Sequence, residues 1–192
     1  WGGILYAPGG FPDLYQSMFD SPWIRAQAYE PFFPEGLTQP TLDLPFNPGT
    51  TSSFTGGPHA AWASGSAIAA LDFAPGSDIS GCVETYEWVT ASASGLVVRS
   101  ENGVVILDLD GDGYEQTGWV ILYLHIAEKG RAPVGSLLNV GEIIGHPSCE
   151  GGSATGTHVH IARKYNGEWI PVDSPLPFVL SGWQAHLGAR EY

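Results

Sequence analysis

The sequence has few basic residues and no long apolar run. Only 7 lysines and arginines stand against 20 aspartates and glutamates, which gives a formal net charge of −13. Contacts to nucleic acid phosphates depend on basic side chains, so this balance argues against nucleic acid as a partner. No apolar run approaches the roughly 20 residues that a membrane-spanning helix needs. We therefore expect no membrane span and no nucleic acid partner.

Cysteine is also scarce. Cys82 and Cys149 are the two cysteines of the chain, and neither belongs to a CxxC pair. This spacing rules out a cysteine-based zinc site and leaves either a disulfide or two buried thiols. The chain begins at Trp1 and shows no signal peptide, so we expect a mature or trimmed form of an exported protein.

Helix-favouring runs are few, whereas 26 glycines and 15 prolines interrupt the chain. Residues 1–47 form an irregular extension rich in proline, glycine and aromatic residues, in which only residues 13–28 could hold a short helix. We expect this extension to pack on the core, and lining one side of a substrate groove is its alternative role. Residues 48–192 are expected to form one mainly β domain of antiparallel sheets.

Strand-like segments succeed one another in this domain. They are residues 66–74, ending near Asp72 and Phe73, the pair 87–99 and 103–109, the apolar run 119–126, and short strands within 134–144. Asn166-Gly167 lies between two further strands and is typical of a two-residue hairpin turn.

Two histidines at i and i+2, His158 and His160, lie among β-forming residues. Side chains on a strand alternate between its faces, so both imidazoles are predicted to point the same way. Such a pair could share one reacting site, or it could be solvated on a polar edge.

Three further residues suggest partners for this pair. His59 lies in a glycine- and proline-rich loop, and Asp72 and His125 lie in apolar strand-like segments. A buried carboxylate needs a partner, which a metal ion would supply. His59 and Asp72 with one or both of His158 and His160 would give the ligand set of a catalytic zinc, whose bound water has a pKa near 7. Taken singly, each residue could equally be a hydrogen-bonded core or surface residue. The sequence has no HExxH, which excludes a helical zincin.

The combined motifs resemble those of lysostaphin/LytM-type zinc metalloendopeptidases, bacterial enzymes that cut the peptide cross-links of peptidoglycan. The matching segments are Gly57-Pro58-His59, Leu71-Asp72-Phe73, Tyr123-Leu124-His125 and Gly156-Thr157-His158-Val159-His160. The run from Cys149 to His160 and the wide spacing from His59 to Asp72 are similar to those of the staphylolytic LasA protease, or β-lytic, subgroup. The resemblance extends over about residues 44–172.

The resemblance implies specific roles. His59, Asp72 and His160 would hold Zn²⁺, while His125 and His158 would activate the attacking water or stabilise the oxyanion. It also implies a Cys82–Cys149 disulfide. The expected substrates are peptidoglycan cross-bridges or other glycine-rich peptides, cut by a monomeric enzyme that is secreted or associated with the bacterial cell envelope.

Two other functions compete with this one. The first is a catalytically inactive relative that binds the cell wall or regulates a partner hydrolase. The second is a calcium-dependent wall-binding module, which leaves the histidine set without a reason. His146 and His186 match no motif of the family, and we expect surface or structural roles for both, with His146 a candidate for lining the groove.

An acidic loop carries a second candidate metal site. Asp108, Asp110 and Asp112, followed by Gly113, reproduce the first half of a calcium-binding loop. Position 12 of that loop would be Trp119 in place of glutamate, so a complete EF-hand is excluded. The three aspartates could bind a structural calcium ion, or they could form the acidic tip of a hairpin.

Overall fold

The computed structural model describes residues 13–14, 17–18, 34–77 and 79–188. The chain divides into two compact units, residues 1–37 and 38–192. In the first unit, residues 13–14 and 17–18 are helical, and the rest of the predicted short helix lies outside the described residues. Residues 38–47, counted above with the extension, belong to the second unit, where Leu42 is buried in the core. The packing of the remaining extension stays a prediction.

The described part of the second unit contains strands and no helix. The strands are β1 (Ser52–Ala60), β2 (Ile68–Pro75), β3 (Val89–Thr90), β4 (Gly95–Glu101), β5 (Val104–Asp108), β6 (Trp119–Leu124), β7 (Leu137–Leu138), β8 (Ile143–Gly145), β9 (Val159–Tyr165), β10 (Glu168–Trp169), β11 (Val179–Leu180) and β12 (Trp183–Gln184). The predicted mainly β fold is thereby confirmed.

Antiparallel pairing organises these strands into one large sheet and two small ones. The large sheet has the order β1-β2-β9-β6-β5-β4-β7, and β10 also pairs with β9. The pairs β3–β8 and β11–β12 form the small sheets. Asn166 and Gly167 connect β9 to β10 with φ values of 48° and 82°, as the hairpin signal predicts. In the residues described, no helix is long and apolar enough to cross a membrane.

Three expectations need correction. The segment 87–99 is not one strand paired with 103–109, because only β4 pairs with β5 while β3 pairs with β8. The strand around Asp72 continues to Pro75, at the end of the β1–β2 ladder. His59 belongs to β1 and not to a loop, since glycines and a proline were mistaken for a turn in what is an irregular strand.

The central strands are buried on both faces. Along β6, Ile121 and Tyr123 pack in one apolar cluster, and Val120 and Leu122 pack in another on the opposite face. Because both faces are covered, the strand is a continuous apolar run and does not alternate with polar residues. The sheet is thus a rigid support for side chains placed near its strand ends.

A buried arginine joins the flanking segments to this sheet. Arg163 on β9 has no exposed surface, and its guanidinium donates hydrogen bonds to Gln39 Oε1 and to the carbonyl oxygens of Leu176 and Pro177. It also lies 4.7 Å from the ring centroid of Phe178. These contacts fix the segments before β1 and after β10 on the face of the sheet that carries Ile121.

Candidate metal centre

Irregular pairing in β1 brings His59 towards Asp72. The ladder begins with Ser52 opposite Pro75, and continued regularly it would place His59 opposite Ile68. Register shifts after Phe54 and after Gly56 place His59 opposite Ala70 instead. This moves the histidine two residues, or about 7 Å, closer to Asp72 along β2.

Asp72 and His160 are cross-strand neighbours. Asp72 on β2 lies directly opposite His160 on β9, so their side chains share a face of the sheet. His158, just before β9 begins, projects to the same side: its Nε2 lies 3.6 Å from Asp72 Oδ2. The predicted common orientation of His158 and His160 agrees with these contacts.

The nitrogens of two histidines surround one oxygen of Asp72. His59 Nε2 lies 2.9 Å from Asp72 Oδ1, and His160 Nδ1 lies 3.3 Å from the same oxygen. One potential ligand atom from each of the three residues falls within 4.8 Å of the other two. We call His59, Asp72 and His160 the histidine centre.

Backbone carbonyls select which nitrogen of each imidazole faces the centre. His160 Nε2 lies 2.9 Å from the carbonyl oxygen of Ala61, and His59 Nδ1 lies 3.2 Å from that of Ala60. A carbonyl oxygen only accepts hydrogen bonds, so these nitrogens carry the protons. The lone pairs that remain, on His160 Nδ1 and His59 Nε2, therefore face Asp72, as in metal-binding histidines held by an outer hydrogen bond.

Two atoms of the centre are buried without a hydrogen bond. His59 Nε2 and Asp72 Oδ1 are both inaccessible to solvent, and their contact does not have hydrogen-bond geometry. Burial by itself would raise the pKa of the Asp72 carboxyl, but His160 and His59 beside it hold that pKa well below its usual range. An anionic oxygen and two lone pairs directed at one point fit a divalent cation, and the donor set of two nitrogens and one oxygen suits zinc.

His125 and His158 lie next to the centre as a second pair of imidazoles. Their ring centroids are 4.5 Å apart, and the His125 ring is 6.2 Å from that of His160. Nδ1 of His125 is bound to the carbonyl oxygen of Glu150 at 2.9 Å, and Nδ1 of His158 to that of Gly156 at 2.7 Å. Each ring therefore keeps Nε2 free to accept a proton.

His125 has an unusual backbone conformation. It follows the last residue of β6, and its φ of 65° lies in the left-handed region that favours glycine. Burial lowers the pKa of its imidazole, mainly by disfavouring the charged form. The ring is consequently neutral near pH 7 and able to act as a base.

Two cavities flank these residues. One of about 620 Å³ lies on the His59 side, and the residues that line it include Gly56, Gly57, Ala60 and Asp72. The other, of about 350 Å³, lies beside the segments that hold the His125 and His158 rings. Its lining residues are Cys82, Val83, Glu84, Thr85, Tyr86, Ala127, Lys129, His146, Pro147, Ser148, Cys149, Glu150 and Thr157. Together they give a peptide room on both sides of the histidine centre.

Cys82 and Cys149 form a disulfide with an S–S distance of 2.03 Å, as the family resemblance implied. The two segments that it joins border the second cavity. One of them continues into Glu150, whose carbonyl orients His125. The other begins with Gly81, whose carbonyl accepts a hydrogen bond from the amide of Thr157, next to His158.

The remaining histidines stand apart from the centre. His146 stacks on Trp88 with ring centroids 3.6 Å apart, and its Nδ1 is bound to the carbonyl oxygen of Glu87. It also lines the smaller cavity, as the sequence analysis allowed. His186 is exposed and lies 3.2 Å from Asp173 Oδ1.

The acidic loop also gathers its carboxylates. Asp108 is buried, and one oxygen from each of Asp108, Asp110 and Asp112 falls within 4.8 Å of the others. These carboxylates accept hydrogen bonds from amides of the same loop, among them Gly113 N to Asp108 Oδ2 at 2.9 Å and Tyr114 N to Asp112 Oδ1 at 2.8 Å. The loop is thus held by its own hydrogen bonds, and calcium binding stays a prediction.

Sequence reasoning missed the main-chain partners of the four imidazoles and the role of Gly56. A Cβ added to Gly56 would lie 2.8 Å from Asp72 Oδ2. The Gly56-Gly57 pair before His59 was the available signal, since glycine in a strand often marks a bulge or a close approach. The carbonyl partners left no signal, because any residue supplies a carbonyl.

No protein-family model and no curated protein matches this chain. The chain shares its fold with the M23 metalloprotease pseudoalterin from the deep sea, at 24% identity and a TM-score of 0.63 over 81% of this chain and 86% of that one. The lysostaphin catalytic domain of Staphylococcus simulans matches at 22% identity and a TM-score of 0.42, over 64% and 89%. The prophage-encoded M23 protein EnpA of Enterococcus faecalis matches at 21% and 0.45, over 70% and 98%. At these identities, the likeness to pseudoalterin shows the fold.

Proposed function

We propose that this protein is a zinc metalloendopeptidase. The observation that carries the proposal is the pair of buried, unbonded atoms, His59 Nε2 and Asp72 Oδ1, with His160 Nδ1 directed at the same point. Burying such atoms without a partner is costly, and a cation between them would remove that cost. The fold shared with a metalloprotease supports this reading.

The residues of the centre and its neighbours divide the work. His59, Asp72 and His160 would hold the ion, which when bound supplies Lewis-acid activation of a water molecule and of the substrate carbonyl. His158 and His125 lie beside it with Nε2 free. Either imidazole would take a proton from the attacking water as a general base, or stabilise the oxyanion as a hydrogen-bond donor once protonated.

Peptidoglycan cross-bridges or other glycine-rich peptides are the proposed substrates. The larger cavity is lined near the centre by Gly56, Gly57 and Ala60, so a peptide backbone can approach Asp72 and His59 closely. Glycine in the substrate avoids side-chain clashes during such an approach. The similarity of the segment from Cys149 to His160 to the staphylolytic LasA subgroup supports the same choice.

We further propose that the protein acts outside the bacterial cytoplasm, secreted or at the cell envelope, as a monomer. The Cys82–Cys149 disulfide supports this location, because such bonds persist in oxidising compartments. A catalytically inactive cell-wall-binding or regulatory relative is the alternative. All five residues of the motif set are present in one cluster, which gives that alternative no positive support.

Metal content and hydrolysis of the parent and two histidine variants test the proposal. We expect one zinc in the parent, loss of zinc in His160→Ala, and retained zinc in His158→Ala with activity lower by roughly 10²- to 10⁴-fold. His186→Ala, an exposed histidine outside the cluster, is the matched control and should equal the parent. Cell walls and a glycine-rich peptide serve as substrates.

The outcomes separate the alternatives. Equal hydrolysis by all four proteins contradicts a role for the histidine centre. A parent that binds zinc but hydrolyses neither substrate supports the inactive relative.

A further inference from the structure

The hydrogen-bond ladder between β6 and β9 stops just short of the two imidazoles that flank the histidine centre. Its last pair is Leu124 opposite His160. One residue further on β6, His125 takes up a left-handed conformation, and the two chains separate. His125 and His158 therefore lie beyond regular pairing, where another segment has to hold them.

Ser148 fills the gap between them. Its amide donates to the carbonyl oxygen of His125 at 2.7 Å, and its own carbonyl accepts from the amide of His158 at 3.3 Å. Ser148 and His158 also form an isolated antiparallel bridge. One residue thus joins the main chains of both histidines.

The hydroxyl of Ser148 adds contacts that the main chain alone does not make. Oγ donates to the same carbonyl oxygen of His125 at 2.9 Å and accepts from the amide of Glu150 at 3.0 Å. The carbonyl of Glu150 in turn binds Nδ1 of the His125 ring. The hydroxyl therefore connects the backbone of His125 to the residue that orients its imidazole.

We propose that Ser148 is a positioning residue for the hydrolysis proposed above, on which this inference rests. A left-handed conformation in a residue other than glycine persists only where the surroundings hold it. The hydroxyl holds the His125 carbonyl in that conformation and keeps Glu150 in place beneath the ring. It thereby fixes the 4.5 Å spacing between the His125 and His158 rings.

Removing the hydroxyl should alter this arrangement without unfolding the loop. The neighbouring Cys149 remains bridged to Cys82, and the main-chain bonds of Ser148 do not depend on its side chain. The described contacts of Ser148 go to His125, His158 and Glu150, so the zinc ligands keep theirs. We expect Ser148→Ala to lower kcat roughly 10- to 100-fold, the effect of misplacing a reacting group, while KM and zinc content stay at parent values.

Two further variants make the experiment specific. Ser148→Thr restores the hydroxyl, and its extra methyl group has room because Ser148 lines the cavity of about 350 Å³. This variant should recover most of kcat. Ser174→Ala is the matched control: Ser174 makes the same kind of bonds to Leu176, two residues on, and lies outside the cluster. Its kcat should equal that of the parent.

Crystal structures of the metal-free parent and of Ser148→Ala add a readout that does not depend on activity. In the variant we expect His125 to leave the left-handed region or its ring to move away from His158. An unchanged His125 overturns the inference even if the parent proves inactive, and an inactive parent by itself counts against the proposed function only. A displaced His125 with an unchanged kcat, or a loss of kcat that Ser148→Thr does not recover, also overturns it.

Discussion

Two clusters in this protein bring three potential metal ligands equally close together. One is the histidine centre, and the other is the set of Asp108, Asp110 and Asp112, here called the aspartate loop. In each, one ligand atom per residue lies within 4.8 Å of the other two. Proximity alone would therefore rank the two clusters as equal candidates for a cation site.

They differ in how their electron pairs are already used. In the aspartate loop, both oxygens of Asp108 accept hydrogen bonds from loop amides, and Asp110 Oδ1 accepts one from the amide of Asp112. Asp112 accepts from the amide of Tyr114 and from the hydroxyl of Thr117. In the histidine centre, His59 Nε2 and Asp72 Oδ1 are buried and accept none. Lone pairs without hydrogen bonds are thus the better indicator of a metal site.

The electrostatics of the two clusters differ in the same sense. Burial raises the pKa of Asp108, and the neighbouring Asp110 opposes its ionisation as well. At Asp72 the same effect of burial is outweighed by His160 and His59, which keep the carboxyl ionised. The histidine centre therefore presents an anionic ligand in advance, and the aspartate loop carries a charge that its surroundings disfavour.

A matched pair of isosteric substitutions gives the largest expected difference between the clusters. Asp72→Asn removes the anionic ligand, and we expect loss of stoichiometric zinc. Activity should fall by more than the roughly 10- to 100-fold that loss of an indirect partner costs. Asp112→Asn should leave zinc content and kcat at parent values. Metal analysis and peptide hydrolysis check both variants, and similar zinc loss in the two would remove the distinction drawn here.

A change of intermediate effect tests how closely the backbone approaches Asp72. A Cβ in Gly56→Ala would lie 2.8 Å from Asp72 Oδ2, so the carboxylate has to turn away from the histidines. We expect zinc affinity to fall roughly 10- to 100-fold, as for other changes that misorient a ligand. Gly76→Ala is the control, since its Cβ would meet Thr51 O at an ordinary 3.5 Å. Competition with a chromogenic chelator measures both, and equal affinities would show that Asp72 tolerates the contact.

The sequence predicted the side chains of the histidine centre better than their scaffold. Alternation along β9 is a local property, so the common direction of His158 and His160 followed from their spacing. The family resemblance supplied the choice of His160 over His158. Proximity of His59 to Asp72, in contrast, depends on the register shifts of β1, which arise from pairing with β2 and leave only glycines as a trace in the sequence.

The support of the second imidazole pair was beyond sequence reasoning for a similar reason. His125 was expected within an apolar strand end, yet it lies after β6 in a conformation that histidine seldom adopts. That conformation depends on Ser148 and Glu150, which follow it by more than twenty positions in the chain. Tertiary hydrogen bonds of this kind override local preference and have no periodic pattern to reveal them.

The smallest expected effect concerns calcium in the aspartate loop. Because loop amides already bind its carboxylates, a cation gains little beyond relief of repulsion among Asp108, Asp110 and Asp112, and we expect weak binding. At ten times its Kd, calcium would add about 1.4 kcal/mol, which corresponds to a Tm increase of roughly 3 to 6 °C. Thermal unfolding after EDTA treatment and calcium add-back measures this increase. The Asp72→Asn background removes the contribution of zinc, magnesium serves as the control ion, and Asp112→Asn should abolish the increase. If calcium restores no more stability than magnesium does, the loop is an acidic hairpin tip held together by its own amides.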